Sequence, residues 1–325
     1  MTTSGSSLRT VLAMTVTVVL WASAFVGIRA VGHEVGPGAL TLGRIAVGSV
    51  ALTVLLGVAT LRRRATHGPH PEPTHPFPRG RLLAAVAVWG VAWFGLYNLV
   101  LNAAEQHLDA GTTALLVNIA PMLVAVLAGT LLGEGFPRRL VTGMAVALAG
   151  VVVIAVSTSS GRFDVVGVLL GLGAAVLYAG PATLQKRLLP HVDALTMTWL
   201  GCLAGTVAAL PFLPALVDEL ATVGTSAMLG IVYLGVFPTA VAFTTWAYVL
   251  QRTSAGRTAA ATYAVPPLTI LLSWALLGEV PPVAALAGGV LALAGVAVAT
   301  LPRRRHGTVL APVPDAAVPA VERAA

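Results

Sequence analysis

The chain has 325 residues, 57% of them hydrophobic and only 10% charged, with a mean hydropathy of +0.89. Soluble domains carry about 25% charged residues, so a water-soluble globule is excluded and lipid must solvate most of the surface. The formal net charge of +7 would suggest nucleic acid in a soluble protein. Here the arginines sit in short segments between apolar runs, the pattern that sets membrane topology, and no nucleic-acid partner is expected.

Roughly 20 apolar residues cross about 30 Å of hydrocarbon. Ten such runs predict transmembrane helices at 10–31, 38–61, 82–106, 110–132, 139–157, 165–188, 194–216, 227–250, 255–277 and 283–301. Helices are the only reasonable form, because the backbone must close its own hydrogen bonds in lipid. The first run follows a short polar segment with Arg9 and reads as a retained span, since neither a small-residue cleavage site nor a soluble domain follows it. The second holds Arg44, about seven residues from its outer end and so roughly 10 Å deep. An ionised group there costs about 2.5–3.5 kcal/mol. Two readings stand: a cation facing a central cavity, for a substrate carboxylate or phosphate, or a side chain that snorkels to headgroups or pairs with Glu34 or Glu105.

Between the second and third runs, 62–81 is Pro-, His- and Arg-rich and reads as an extended cytoplasmic linker, attractive to anionic membrane lipid. Its His67, His70 and His75 sit in a solvated Pro-rich context, and no metal site is expected. The third run carries Asn98, Asn102 and Glu105 on one helical face, beside an aromatic stripe of Trp89, Trp93 and Tyr97. Such a face suits a wet cavity for an amphipathic solute; helix–helix hydrogen bonding and interfacial anchoring are the structural alternatives. In the fourth run Asn118 precedes Pro121 by three residues, and in the ninth Tyr263 precedes Pro266 by three. Proline frees a carbonyl one turn back and bends the helix, so both are expected helix breaks. Glu134 and Glu279 end those runs and are expected to cap the next helix N-terminus. Gly167-x-x-x-Gly171 and Gly201-x-x-x-Gly205 report close packing, compatible with a monomer or a homodimer. Cys202 is the only cysteine, so there is no intrachain disulfide or cysteine metal site, and no cofactor is implied.

Self-comparison exposes a duplication. Ala110-Gly111, Pro121, Leu132-Gly133-Glu134, Gly143 and Leu148-Ala149-Gly150-Val151 recur as Ala255-Gly256, Pro266, Leu277-Gly278-Glu279, Gly288 and Leu293-Ala294-Gly295-Val296, all at an offset of 145. Val19-Leu20-Trp21-Ala22 aligns with Val176-Leu177-Tyr178-Ala179 at 157, which sets Arg29 against Lys186. The larger offset is absorbed by the basic loop of the first half. Each half has five helices, and an odd number inverts the second relative to the first. Inverted repeats of this kind build secondary transporters with a solute site where the halves meet. If the N-terminus is cytoplasmic, 16 of the 19 basic residues lie inside and only Arg29, Arg44 and Arg162 do not. Such a bias places both termini in the cytoplasm and the protein in the inner membrane.

These residues resemble a known family. Trp21-Ala22-Ser23-Ala24-Phe25 with Arg29, Arg44 in the second helix, and the duplicated Pro121 and Pro266 helices ending in Leu-Gly-Glu are similar to EamA-type members of the drug/metabolite transporter superfamily. The resemblance implies ten helices in two five-helix halves and movement of a small metabolite. It divides the chain into a first repeat at 10–157, including the 62–81 loop, a second at 165–301, and a disordered cytoplasmic tail at 302–325.

The expectation is an all-α polytopic transporter exporting a small organic metabolite or drug, anionic or zwitterionic and amino-acid-like, by alternating access. Its substrate-binding candidates are Trp21, Arg44, Trp93, Tyr97, Asn98, Asn102, Asn118, Tyr178 and Tyr263. Glu105 is the one candidate for proton coupling, with facilitated diffusion or exchange as the main expectation. A membrane-embedded enzyme would need a nucleophile–base pair, acidic dyad or metal cluster within the bundle, and none is legible. A non-transporting scaffold or receptor gives no reason for an inverted duplication.

Overall fold

The computed structural model describes residues 3–67, 77–107, 113, 116–158, 164–278 and 280–300. The expected tail and the middle of the basic loop lie outside the described residues. The described part is all helical: α1 (Thr3–Val31), α2 (Pro37–His67), α3 (Gly80–His107), α4 (Ala120–Leu131), α5 (Arg138–Thr158), α6 (Val165–Leu188), α7 (Ala194–Leu220), α8 (Thr225–Arg252), α9 (255–277) and α10 (Val283–Thr300). Nine are long and apolar enough to span a bilayer, and α4 is a shorter apolar helix. The expected extended linker is shorter than its composition suggests, because α2 runs through Arg62-Arg63-Arg64 to His67. Apolar side chains such as Val50, Val54, Leu61, Val88 and Leu229 are exposed, as lipid-facing surface requires.

Local chemistry sets the helix ends. The carboxylate of Asp164 accepts from the Val166 N–H, that of Asp193 accepts from the Thr196 N–H, and the Ser254 hydroxyl accepts from the Arg257 N–H. Each satisfies a donor that the first turn leaves open. Gly133 and Gly278, repeat equivalents, both end their helices in the left-handed region at φ 69°, where a Cβ is unfavourable.

The duplication is visible in the packing. A Cβ built on Gly143 would lie 2.7 Å from the Gly295 carbonyl oxygen, and one on Gly295 would lie 2.6 Å from the Gly143 carbonyl oxygen. Gly150 and Gly288 are paired in the same reciprocal way, at 2.5 and 2.7 Å. As the chain advances along α5, the contact retreats along α10, so these repeat-equivalent helices cross antiparallel. The same symmetry operates elsewhere. Gly205 on α7 meets Phe94 and Gly90 of α3, and Gly48 on α2 meets their counterparts Thr239 and Gly235 of α8. Between α2 and α7, Ser49 hydrogen-bonds Thr206 at 3.0 Å and the Cys202 thiol donates to the Ile45 carbonyl. Both pairs join residues 157 apart, the offset at which α1 aligns with α6 in sequence. A repeat therefore meets its own image at two places, α2 with α7 and α5 with α10. The pseudo-two-fold axis passes through both, in the membrane plane, as inverted five-helix repeats demand.

Candidate functional site

Besides α7, which has a 3-10 turn at Leu210–Phe212, four of the helices near this axis are interrupted. In α4, Asn118-Ile119 form a turn before the helix resumes with Pro121 in its first turn. In α9, a 3-10 turn at Thr262–Ala264 precedes a helix with Pro266 in its first turn. Proline fits there because a first-turn N–H has no helical partner. The other two interruptions are π-helical stretches in repeat-related places, Val91–Tyr97 of α3 and Gly235–Val241 of α8. Side chains supply what each widened turn leaves unmet. Asn98 Nδ2 donates to the Trp93 and Phe94 carbonyls. Pro238 has no N–H to offer the Leu234 carbonyl, and the Thr239 hydroxyl donates there instead, at 2.8 Å. Stretches of this kind are frequent at functional sites.

A cavity of ≈ 80 Å³ lies among these interruptions, lined by Trp21, Phe25 and Ile28 of α1, Arg44 of α2, Trp93, Tyr97, Asn98 and Leu101 of α3, Val117, Asn118 and Pro121 before and within α4, Tyr178 of α6, Phe243 of α8, and Thr262 and Val265 of α9. That volume holds several waters. From mid-span, at Trp21 and Phe243, it extends past Arg44, Leu101 and Val117 towards the arginine-poor face. The side towards the arginine-rich face is closed by rings. Trp21 packs on Trp246 at 5.1 Å and Phe243 at 5.4 Å between centroids, and Trp93 packs on Phe243 at 5.4 Å and Tyr178 at 5.6 Å. Trp246 Nε1 donates to Gln185 Oε1 at 2.9 Å behind this plug.

Further ties close the arginine-rich face. Lys186 Nζ donates to the Leu250 and Thr253 carbonyls at the end of α8, and Arg187 Nη2 donates to the Leu131 carbonyl at the end of α4. The Glu134 carboxylate accepts from the N–H groups of Ala255 and Gly256, at 2.7 and 3.1 Å. Glu134 thus caps a helix, but not the next one in sequence: it caps α9, across the repeat interface. Its counterpart Glu279 lies outside the described residues.

Arg44 is 4% exposed, yet among the described residues it hydrogen-bonds only Thr239 and forms no salt bridge. Glu105 lies within electrostatic reach of Arg44 and Arg29, but is not a lining residue. An incompletely compensated buried cation is costly and makes the cavity attractive to an anion. Beside it the aromatic wall offers contact area for an apolar group. No described carboxylate lines the cavity, and no described group of three or more His, Cys, Asp or Glu residues has metal-site geometry.

Of the sequence-derived candidates, Trp21, Arg44, Trp93, Tyr97, Asn98, Asn118, Pro121 and Tyr178 line this cavity. Asn102, Tyr263, Pro266 and Glu105 do not. Asn102 turns to α2, donating to Thr41 Oγ1 at 2.9 Å and to the Pro37 carbonyl. In α9 Thr262 and Val265 line the cavity and Tyr263 does not; Tyr263 is fully buried in a cluster that includes Met144, Ala147 and Ala292 of α5 and α10. Trp89 is fully buried and donates to the Pro181 carbonyl. Sequence reasoning missed Phe243, Trp246, Thr239 and Gln185. The repeat offset was the available signal for one of them, since it maps the candidate Asn98 onto Phe243.

The profile of the EamA-like transporter family matches residues 8–156 and 165–301. A protein of Streptantibioticus cattleyicolor described as a "probable terminal-alkyne amino-acid exporter" is 38% identical over 303 residues, covering 92% of this chain and 97% of its own. The uncharacterized transporter YdfC of Bacillus subtilis is 32% identical over 277 residues, covering 85% and 86%. A "probable amino-acid metabolite efflux pump" of Salmonella typhimurium is 25% identical over 213 residues, covering 62% and 71%. A crystal structure with 22% identity superposes with a TM-score of 0.70 over 90% of this chain and 96% of its own, a likeness of fold.

Proposed function

The chain belongs to the EamA-like transporter family, and from that premise we propose that it exports an amino-acid-like metabolite bearing a carboxylate. It is a multi-pass membrane transporter of a small molecule, not an enzyme. The finer reading rests on one observation: a buried guanidinium that lines the cavity without a carboxylate partner among the described residues. Arginine suits a carboxylate because its planar fork gives two parallel hydrogen bonds. The ring of Trp21, Trp93, Tyr178 and Phe243 receives the solute's apolar side chain. Two relatives carry names that speak of amino-acid export, which agrees with this reading.

In the proposed cycle the protein sits in the plasma membrane with both termini cytoplasmic, and the arginine-rich face is the closed cytoplasmic side. Alternating access requires the plug around Trp21, Trp246 and Phe243 to part together with the ties at Lys186, Arg187 and Glu134. With no carboxylate among the described lining residues, proton coupling has no evident carrier in the cavity, and facilitated diffusion or exchange is the preferred mode. Counterflow in proteoliposomes loaded with amino acids or with their carboxamides tests the substrate class. Wild type should exchange the amino acids and discriminate against the carboxamides, and Arg44→Gln should lose the discrimination. Loss of one charge-assisted contact is worth about 1.5–3 kcal/mol, or roughly 10- to 150-fold in apparent affinity. Equal exchange of both forms by wild type would remove the carboxylate from the proposal.

A further inference from the structure

We propose that Thr239 is a positioning residue for the carboxylate anchor, holding the Arg44 fork so that one edge faces the solute; this rests on the substrate reading above. The Thr239 hydroxyl has one proton, and it goes to the Leu234 carbonyl five residues back. Its oxygen is then an acceptor only. It takes hydrogen bonds from both Nε and Nη2 of Arg44, each at 3.3 Å. Those two donors make up one edge of the guanidinium, so the other edge, Nη1 with the second proton of Nη2, remains for a bidentate ligand. Arg44 and Thr239 are both buried, at 4% and 1% exposure.

The backbone is shaped to deliver this hydroxyl. Pro238 denies the Leu234 carbonyl its usual donor, and the π-helical stretch brings Thr239 into its place. A Cβ on Gly48 would lie 2.8 Å from Thr239 Cγ2, and one on Gly235 would lie 2.6 Å from the Arg44 carbonyl oxygen. Only glycine at both positions lets α8 come this close to α2. Arg44 belongs to the first repeat and Thr239 to the second. The anchor therefore has its working orientation only in this arrangement of the two halves, and movement of α8 against α2 changes how well it holds a carboxylate.

The test uses the full chain in nanodiscs, with fluorescence of the cavity tryptophans reporting binding. The probes are propargylglycine and phenylalanine, each against its own carboxamide. Thr239→Val should weaken both free amino acids by about tenfold or more and leave the carboxamides within about threefold of wild type. Thr239→Ser, which keeps the hydroxyl, should stay within about threefold for all four, and Thr239→Ala serves as a second hydroxyl-free variant if the valine disturbs folding on gel filtration. In counterflow the hydroxyl-free variants should raise KM with little change in maximal rate. Equal loss of amino acids and carboxamides would mean a packing role and overturn the proposal. So would a serine variant as defective as valine, or hydroxyl-free variants that bind like wild type. If Arg44→Gln shifts selectivity while Thr239 variants do not, only the positioning role falls. If Arg44→Gln leaves selectivity unchanged, or wild type binds none of the probes, the carboxylate reading falls and takes this proposal with it.

Discussion

Adding one methyl group at Gly150 or at Gly295 tests the inverted architecture directly. These positions are repeat equivalents, and their new Cβ atoms would lie 2.5 Å from the Gly288 carbonyl oxygen and 2.6 Å from the Gly143 carbonyl oxygen. Ordinary contact needs roughly 3.4 Å, and the Ala292 and Ala147 amide nitrogens would lie closer still than these oxygens, so α5 and α10 must separate by about 1 Å around a crossing of backbone on backbone. Overpacking of this kind costs about 1–3 kcal/mol. Gly57→Ala is the control, because nothing lies within 4 Å of its Cβ and alanine gains up to about 1 kcal/mol in a helix interior. Thermal unfolding in detergent, followed by size-exclusion of the surviving fraction, should rank Gly57→Ala at or above wild type. Gly150→Ala and Gly295→Ala should fall below it by similar amounts. Alanine variants at 150 and 295 as stable as the control would show that the helices do not touch there. A severe effect at one position and none at the other would refute the reciprocity on which the pseudo-two-fold axis rests.

Three further outcomes are expected. Glu134→Ala should loosen the arginine-rich face, seen as faster maleimide labelling of Thr258→Cys with the buried Cys202 left native; unchanged labelling would mean that the bonds to Ala255 and Gly256 do not hold that face shut. A pH gradient should leave the rate and final level of uptake by Glu105→Gln proteoliposomes equal to wild type, and a gradient-driven component lost in the variant would make Glu105 a coupling group. The His107 side chain and then the Val166 N–H hold the exposed Asp164 carboxyl below its usual range. Its contribution is therefore present above the ordinary carboxylate value and lost as pH falls through the lowered one. Hydrogen exchange at Val166 should be faster in Asp164→Asn near neutrality, with the difference closing on acidification.

How much of this was legible in the sequence depends on the range of the interaction. Spans follow from composition, and the duplication from identities at one fixed offset, both insensitive to tertiary detail. Proline announced the interruptions of α4 and α9 because its missing N–H acts locally. The π-helical stretches are less legible: in α8 Pro238 was the one local signal, whereas in α3 no residue announces the stretch and Asn98 only meets the carbonyls that it leaves open. Asn102 and Tyr263 stand on plausible helical faces, yet which way a face turns is decided by neighbours far away in sequence. Glu134 illustrates the same limit. Its capping chemistry was readable, whereas its partner, 121 residues further on, was not.

The hydrogen bond between Ser49 and Thr206 has a consequence of its own. Wherever two related segments touch away from the axis, inversion makes the touch twice, as at Gly143 with Gly295 and Gly150 with Gly288. A defect in one copy leaves the other intact. On the axis there is no spare, because each partner is the other's counterpart and the bond is made once. Damage at residues 45, 49, 202 or 206 therefore has nothing to fall back on, whereas at the α5–α10 crossing the glycine contacts come in two copies.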